Sequence, residues 1–305
     1  MKKKIRAMYF SGTGTTAKVV TDIAYKMWQE MDKAEHKIGV SGATDDSIDY
    51  VKEENINFTP PKAREKKYAF DENDIVIFGT PVIAGRVPNV LLKFLDTIEG
   101  GGAMAVPVVA YGNRNFDDAL IELRNILESR GFHTVAAAAF IGEHSFSTTL
   151  ASGRPDGEDM KTAERFAALA AEKILGIIKD AGGDPAAIAE ALRKAGPVAV
   201  DGQEPLRGYY QPRDRKGNHI NILKVKPKLD REKCDGCGIC VQVCPMGSIK
   251  EEDPGIVSGI CIKCCGCVKK CPKGALYFDD PGYLYHKEEL EAQYTERKEP
   301  ALFLG

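Results

Sequence analysis

The sequence predicts an α/β chain, a doubly wound parallel sheet of five strands followed by a small α+β domain. Three observations predict it. Strand-length apolar runs alternate with stretches of helical periodicity through the first part of the chain. A loop of glycines and hydroxyls follows the first of these runs. All nine cysteines lie after residue 233, and eight of them repeat one spacing.

Residues 4–10, KIRAMYF, read as a short buried strand. Ser11, Gly12, Thr13, Gly14, Thr15 and Thr16 follow, and then a helical pattern through Val19, Val20, Ile23, Ala24 and Met27. Strand, glycine–hydroxyl loop and helix form the layout of a phosphate site, because backbone N–H groups and hydroxyls converge on an anion at the helix N-terminus. The loop lacks the G-K-[ST] ending of a Walker A loop and the G-x-G-x-x-G of a dinucleotide fold. A lysine-free loop suits a phosphate monoester held by neutral donors.

Lys37–Val40 reads as the second strand, Asp74–Thr80 as the third, Met104–Gly112 as the fourth and Thr134–Ile141 as the fifth. Helices are expected at Val87–Ile98 and at Phe116–Arg130, the latter with Leu120, Leu123, Ile126 and Leu127 at core spacing and Gly131 as its stop. A long helix follows Pro155 and runs through Ile177, with Asp156, Glu158 and Asp159 at the positive end of its dipole. The pairs Asp45–Asp46 and Asp117–Asp118 read as caps or solvated faces rather than an acid/base couple. Asp184–Ala195 is a short helical extension. From Gly196 to about Lys226 periodicity fails, and proline, glycine and charge mark a linker. Its basic excess, from Arg207 to Lys233, reads as a solvated stretch sooner than as a docking surface, while Tyr209 and Tyr210 hint at packing. Thirty extended residues span tens of ångströms, so the two halves need not touch within one subunit, and a homodimer contact is open. The expected division is 1–183, 184–227 for extension and linker, 228–281 for the cysteine domain, and 282–305 for a tail. In the tail, Tyr283–Lys298 is helical and precedes ALFLG, which docks on a domain surface.

Cys234, Cys237, Cys240 and Cys244 precede Pro245, and Cys261, Cys264, Cys267 and Cys271 precede Pro272. Both copies read C-x2-C-x2-C-x3-C-P, which resembles the bacterial two-cluster ferredoxins. The resemblance implies two [4Fe–4S] clusters. Cys234, Cys237, Cys240 and Cys271 would hold one; Cys261, Cys264, Cys267 and Cys244 would hold the other, the fourth cysteine of each run crossing over. A zinc ribbon uses two separated C-x2-C pairs with no third cysteine at the same interval, and a disulfide framework needs an oxidising compartment. Cys265, where the first copy has Gly238, reads as a spare thiol beside a cluster.

The segments FSGTGTT, GTPVIAGRVP and YGNRNFDDAL together resemble the three flavin loops of flavodoxins, over about residues 3–180. The whole chain resembles flavodoxin–ferredoxin fusion proteins of anaerobic bacteria and archaea. By that resemblance FMN is the cofactor. Ser11, Thr13, Thr15 and Thr16 would hold its phosphate, with Gly12 and Gly14 allowing close approach. Pro81, Val82, Ile83, Ala84, Gly85 and Arg86 would line one side of the isoalloxazine, and Gly112, Asn113, Arg114, Phe116 and Asp117 the other. Short flavodoxins commonly flank the ring with Trp and Tyr. Here the first ring loop has no aromatic, and Phe116 is the stacking candidate in the second. Arg86 or Arg114 near the ring would favour the reduced flavin, unless each pairs with a carboxylate. His144 and Ser145 follow the fifth strand on the same edge, facing either the flavin or the ferredoxin part.

A net charge of -2 gives no sign of nucleic-acid or membrane affinity, and 43% hydrophobic with 28% charged residues is the balance of a soluble globular protein. No apolar run reaches the roughly 18 residues of a membrane span. The basic start, MKKKIRAMYFSG, leads into a strand rather than a signal peptide, so a cytoplasmic setting is expected. Flavin and clusters in one chain imply an electron-transfer protein that converts between one- and two-electron carriers, with a ferredoxin or a reductase as redox partner. The alternative is an FMN-dependent reductase of a small organic acceptor, fed by its own clusters. No catalytic side chain stands out, and no second nucleotide loop is present for NAD(P)H.

Overall fold

The computed structural model describes residues 2–39 and 48–305, with side chains omitted at 36–39. Val40, Asp45 and Asp46 therefore lie outside the described residues. The chain forms β1 (Lys2–Tyr9), α1 (Thr15–Gly39), β2 (Asp49–Lys52), β3 (Ile56–Asn57), a 3-10 turn (Pro61–Glu65), β4 (Asp74–Pro81), α2 (Asn89–Leu95), β5 (Met104–Tyr111), α3 (Ala119–Ser129), β6 (His133–Thr134), β7 (Ala137–Ile141), α4 (Gly157–Asp180) and α5 (Pro185–Ala195). The cysteine-rich part follows as β8 (Lys228–Leu229), α6 (Ile239–Gln242), α7 (Gly266–Lys269) and β9 (Leu276–Tyr277), and the chain ends with α8 (Pro281–Gln293) and β10 (Ala301–Phe303).

The main sheet runs β10-β7-β5-β4-β1-β2, with β3 also on β1 and β6 also on β5. Every pairing is parallel except that of β10 on β7. Without β10 and the short β3 and β6, this is the five-stranded doubly wound order whose ligands bind at the carboxyl ends of the strands, where the order reverses. The central strands explain their own composition: all eight residues of β5 and the first seven of β4 are buried, as strands covered on both faces must be. One face packs α1, α4 and α5 through Val20, Ile23, Met27, Phe166, Ile174 and Leu192. The other packs α2 and α3 through Leu91, Leu95, Leu120 and Leu123.

The expected second strand at Lys37–Val40 is corrected: helix α1 continues through Gly39, and the second strand is β2, where Tyr50 turns into the core. The apolar stripe of α1 persists to Met31, and the Lys- and Glu-rich residues beyond it are good helix formers. Asp156 caps α4, accepting from the N–H groups of Glu158 and Asp159, while Asp159 accepts from the Asp156 N–H in a reciprocal capping box. The C-terminal tail docks on the first domain as a sheet strand, Ala301 opposite Ala139 and Phe303 opposite Ala137.

The cysteine-rich part is an internal pair. Helices α6 and α7 each start from a left-handed residue, Gly238 at φ 70 and Cys265 at φ 57. The Ser248 N–H donates to Cys244 Sγ at 3.4 Å, and the Ala275 N–H to Cys271 Sγ at 3.3 Å. Strand β8 pairs with β9, and Ile249 bridges Val257 in the same sense, so each half lends a strand to the other.

Candidate functional site

Three loops converge at the carboxyl edge of the sheet: residues 11–14 after β1, 82–88 after β4 and 112–118 after β5. Helix α1 starts at Thr15 and carries no acid in its first turn, whereas α4 carries two. Its free N-terminal amides are thus not neutralised by the protein's own carboxylates. Thr13 and Thr15 hydroxyls lie 3.4 Å apart, and Gly14, at φ +112, has open space where a Cβ would stand. Ser11 Oγ, Thr80 Oγ1 and Asn113 Oδ1 are buried with no hydrogen-bond partner among the described residues. Three orphaned polar atoms on one sheet edge are costly unless a ligand satisfies them. An open cradle of neutral donors fits the phosphate and polar rim of FMN.

The two ring loops are knotted together. Ile83 and Arg86 exchange backbone hydrogen bonds at 3.0 and 3.2 Å across Ala84 and Gly85, both at positive φ (52 and 76). The Asp118 N–H donates to Gly85 O at 3.0 Å. Asn113 (φ 63) and Asp117 (φ 43) are also left-handed. Non-glycine residues in this region are strained, and such strain gathers at ligand sites.

Both arginines are paired. Arg86 grips the buried Glu122 bidentately at 2.8 and 2.7 Å, and the Val87 N–H donates to the same carboxylate. Arg114 pairs with Asp117. Arg86 is therefore spent inside the loop, and its partner is a core carboxylate rather than a surface one. Phe116 turns onto Tyr111, 5.5 Å between centroids, and packs against the core. The Asn113 amide donates to Tyr294 O and Glu296 O of the tail, at 2.7 and 2.9 Å. Asp118 is not solvated: it is fully buried and receives the backbone N–H and guanidinium of Arg207. The sequence offered no signal for this partner, 89 residues away, except the arginine itself.

Residues of the second cysteine run sit directly on the phosphate loop. A Cβ on Gly12 would stand 2.8 Å from Cys264 Cβ and 3.2 Å from its Sγ, and one on Gly266 would stand 2.6 Å from Gly12 O. Lys269 of α7 reaches across, donating to His144 O and Ser147 O at 2.8 Å each and pairing with Glu143. His144 thus faces both parts: its backbone meets Lys269, and its ring fills the space beside Gly112. Burial and the nearby Lys269 and His286 push His144 down to about 4, so it is neutral near pH 7. Arg64 donates to Pro245 O and lies over the Phe10 ring.

The thiols fall in two groups, and Cys265 joins the first of them. Cys244, Cys261, Cys264 and Cys267 line one cleft with Pro245, Ile260 and Phe278. Burial, and then the charges of Cys261 and Cys244, push the Cys264 thiol up to about 11; burial and the same group raise Cys267 as well. Buried thiolates crowded in this way need bound cations to stay ionised. Cys240 feels Cys234 and Cys237 instead, and Cys237 is exposed. Cys265 is buried, its Sγ 3.5 Å from the Tyr283 hydroxyl.

Residues 11–146 match the family model described as NADPH-dependent FMN reductase, and residues 227–250 match the 4Fe-4S binding domain. The chain is a flavodoxin-like domain followed by a ferredoxin-like domain. No curated protein matches its sequence. Among solved structures it is similar to a flavodoxin from the domain Archaea (14% identity, 57% of this chain and 98% of that one, TM-score 0.34). It is also similar to a flavodoxin of Streptococcus pneumonia (16%, 56% and 99%, TM-score 0.33) and to an azoreductase of Bacillus anthracis (13%, 56% and 99%, TM-score 0.32). No helix among the described residues is long and apolar enough to cross a membrane.

Proposed function

We propose that this chain is an electron-transfer protein that passes electrons between two [4Fe–4S] clusters and FMN and exchanges them with a redox protein. The observation that carries the reading is the contact of Cys264 and Gly266 with Gly12, which joins a cluster loop to the phosphate loop within one subunit. When bound, FMN supplies one- and two-electron exchange and each cluster one electron. Cys261, Cys264, Cys267 and Cys244 would hold the inner cluster, and Cys234, Cys237, Cys240 and Cys271 the outer. Exposed Cys237 marks the outer set as the end a protein partner reaches. Thr13, Thr15, Thr16 and the amides opening α1 would bind the phosphate, with Ser11 and Thr80 hydroxyls turned to the same ligand. Lys269 fixes the spacing of the two halves.

The deciding experiment measures iron, acid-labile sulfide and released flavin on anaerobically purified protein, then follows reduction of each chromophore by dithionite or a low-potential ferredoxin. About eight iron and one FMN per chain are expected, with electrons that enter through the clusters appearing on the flavin. Eight iron with no flavin, even after added FMN, would sink the reading.

One observation favours a second reading, reduction of a small organic acceptor. A cleft of about 410 Å³ lined by Tyr209, Tyr210, Gln211, Arg213 and His219 opens beside the ring loops. Steady-state turnover with quinones separates the two readings: a pure carrier shows none beyond the rate of free FMN.

A further inference from the structure

We infer that the segment Arg207–Tyr210, which lies beyond the flavodoxin-like domain in sequence, builds one wall of the flavin ring site and holds Arg114 there. The inference rests on FMN occupying the three strand-end loops.

The segment is anchored at every residue the site needs. Arg207 donates its backbone N–H to Asp118 Oδ2 at 2.7 Å and its Nε to both carboxylate oxygens at 3.1 and 3.0 Å. Asp118 is the residue whose own N–H ties the second ring loop to Gly85 of the first. The clamp therefore closes on the knot between the two loops. The Tyr209 hydroxyl donates to Val87 O at 2.9 Å, and its ring lies 5.0 Å from the Arg86 guanidinium. The Tyr210 N–H donates to Ala84 O at 2.8 Å, at the left-handed tip of the first ring loop. The Tyr210 ring lies 4.4 Å from the Arg114 guanidinium of the second.

Tyr210 thus spans both ring loops, one through its backbone and one through its ring. Those loops bring little aromatic wall of their own, since the first has only Val82, Ile83 and Ala84 at its tip and the half-buried Phe116 packs against the Tyr111 ring. Of the two arginines, Arg86 is spent on Glu122. Arg114 is held between the Tyr210 ring and Asp117, while His286 stacks on Tyr210 at 5.9 Å. A guanidinium fixed by a ring and a carboxylate loses little freedom when a planar ligand arrives. Tyr210 is accordingly a positioning residue for Arg114, acting through its ring.

The test is FMN titration of the full-length, cluster-loaded protein, read as the dissociation constant and the visible spectrum of the bound flavin. Iron content and thermal midpoint run alongside. Tyr210→Leu is expected to weaken FMN about tenfold and to shift the flavin bands, with iron content unchanged. Tyr210→Phe keeps the ring and is expected to restore wild-type binding and spectrum. Arg207→Met, which unclamps the segment without touching the ring, is expected to weaken FMN in the same direction. Arg114→Gln is the fallback should Tyr210→Leu fail to fold, and it is expected to reproduce the spectral shift. Wild-type affinity and spectrum in Tyr210→Leu, or in Arg114→Gln where that variant is used, overturn the inference while leaving the proposed function standing. A wild-type protein that binds no FMN overturns both.

Discussion

At Gly12 the backbone of the phosphate loop and a cluster cysteine meet so closely that no side chain fits between them. Gly12→Ala is expected to cost about 1–3 kcal/mol by overpacking and to loosen the docking of the two parts. Slower reduction of the flavin by the clusters in FMN-saturated protein would show it; an unaltered rate would refute it. His144 gives a pH signature. Its folded-state value of about 4 lies below the 6.5 of an exposed histidine, so its contribution to stability is full above pH 6.5. As pH falls, the unfolded chain binds the proton first and stability drops, by up to about 2 kcal/mol at pH 5. Urea midpoints at pH 7 and pH 5 should therefore converge more in His144→Gln than in the wild type. At this scale the glycine–hydroxyl loop and the two cysteine runs were legible in the sequence, because short-range spacing encodes them. The fates of Arg86, Asp118 and Asn113 were not, since their partners are Glu122, Arg207 and the tail carbonyls, remote in sequence.

Among the elements, β10 has the clearest consequence. It covers the β7 edge, and the residues just before it occupy the amide of Asn113 in the second ring loop. Truncation after Gln293 uncovers that edge and frees the loop. The expected outcome is a thermal midpoint lower by several degrees together with self-association on gel filtration, since an unpaired edge strand templates pairing. A monomer of unchanged midpoint would show the strand to be dispensable. Lys269 is the matching latch on α7: Lys269→Met takes the cation from Glu143 and the donor from the His144 and Ser147 carbonyls, and is expected to cost about 1–3 kcal/mol, seen as faster amide exchange at 143–147. The helices α1, α3 and α4 were readable from apolar periodicity and caps. The second strand was misplaced, because alternation over four residues cannot be told from the polar end of a long helix.

The whole molecule joins two parts of unequal self-sufficiency. The flavodoxin-like domain buries two extended apolar layers, whereas the core cluster of the ferredoxin-like part is small, built on Cys240, Ile249 and Leu276. Its fold must lean on metal–thiolate bonds. Iron removal by a chelator is expected to abolish protection of residues 228–281 in hydrogen exchange while the first domain keeps its far-ultraviolet signal and FMN binding; joint unfolding would contradict this. The sequence by itself determined the two-part plan, the glycine–hydroxyl loop, the paired cysteine runs and the alternation of the central strands with their helices, all properties carried by local pattern. Only the tertiary structure decided that the inner cysteine loop rests on Gly12, that the supposed linker clamps the ring loops, and that the tail ends as a strand on the far edge of the first sheet. Those are contacts between segments distant in sequence. Their geometry depends on how whole domains settle against one another, and no local pattern records it.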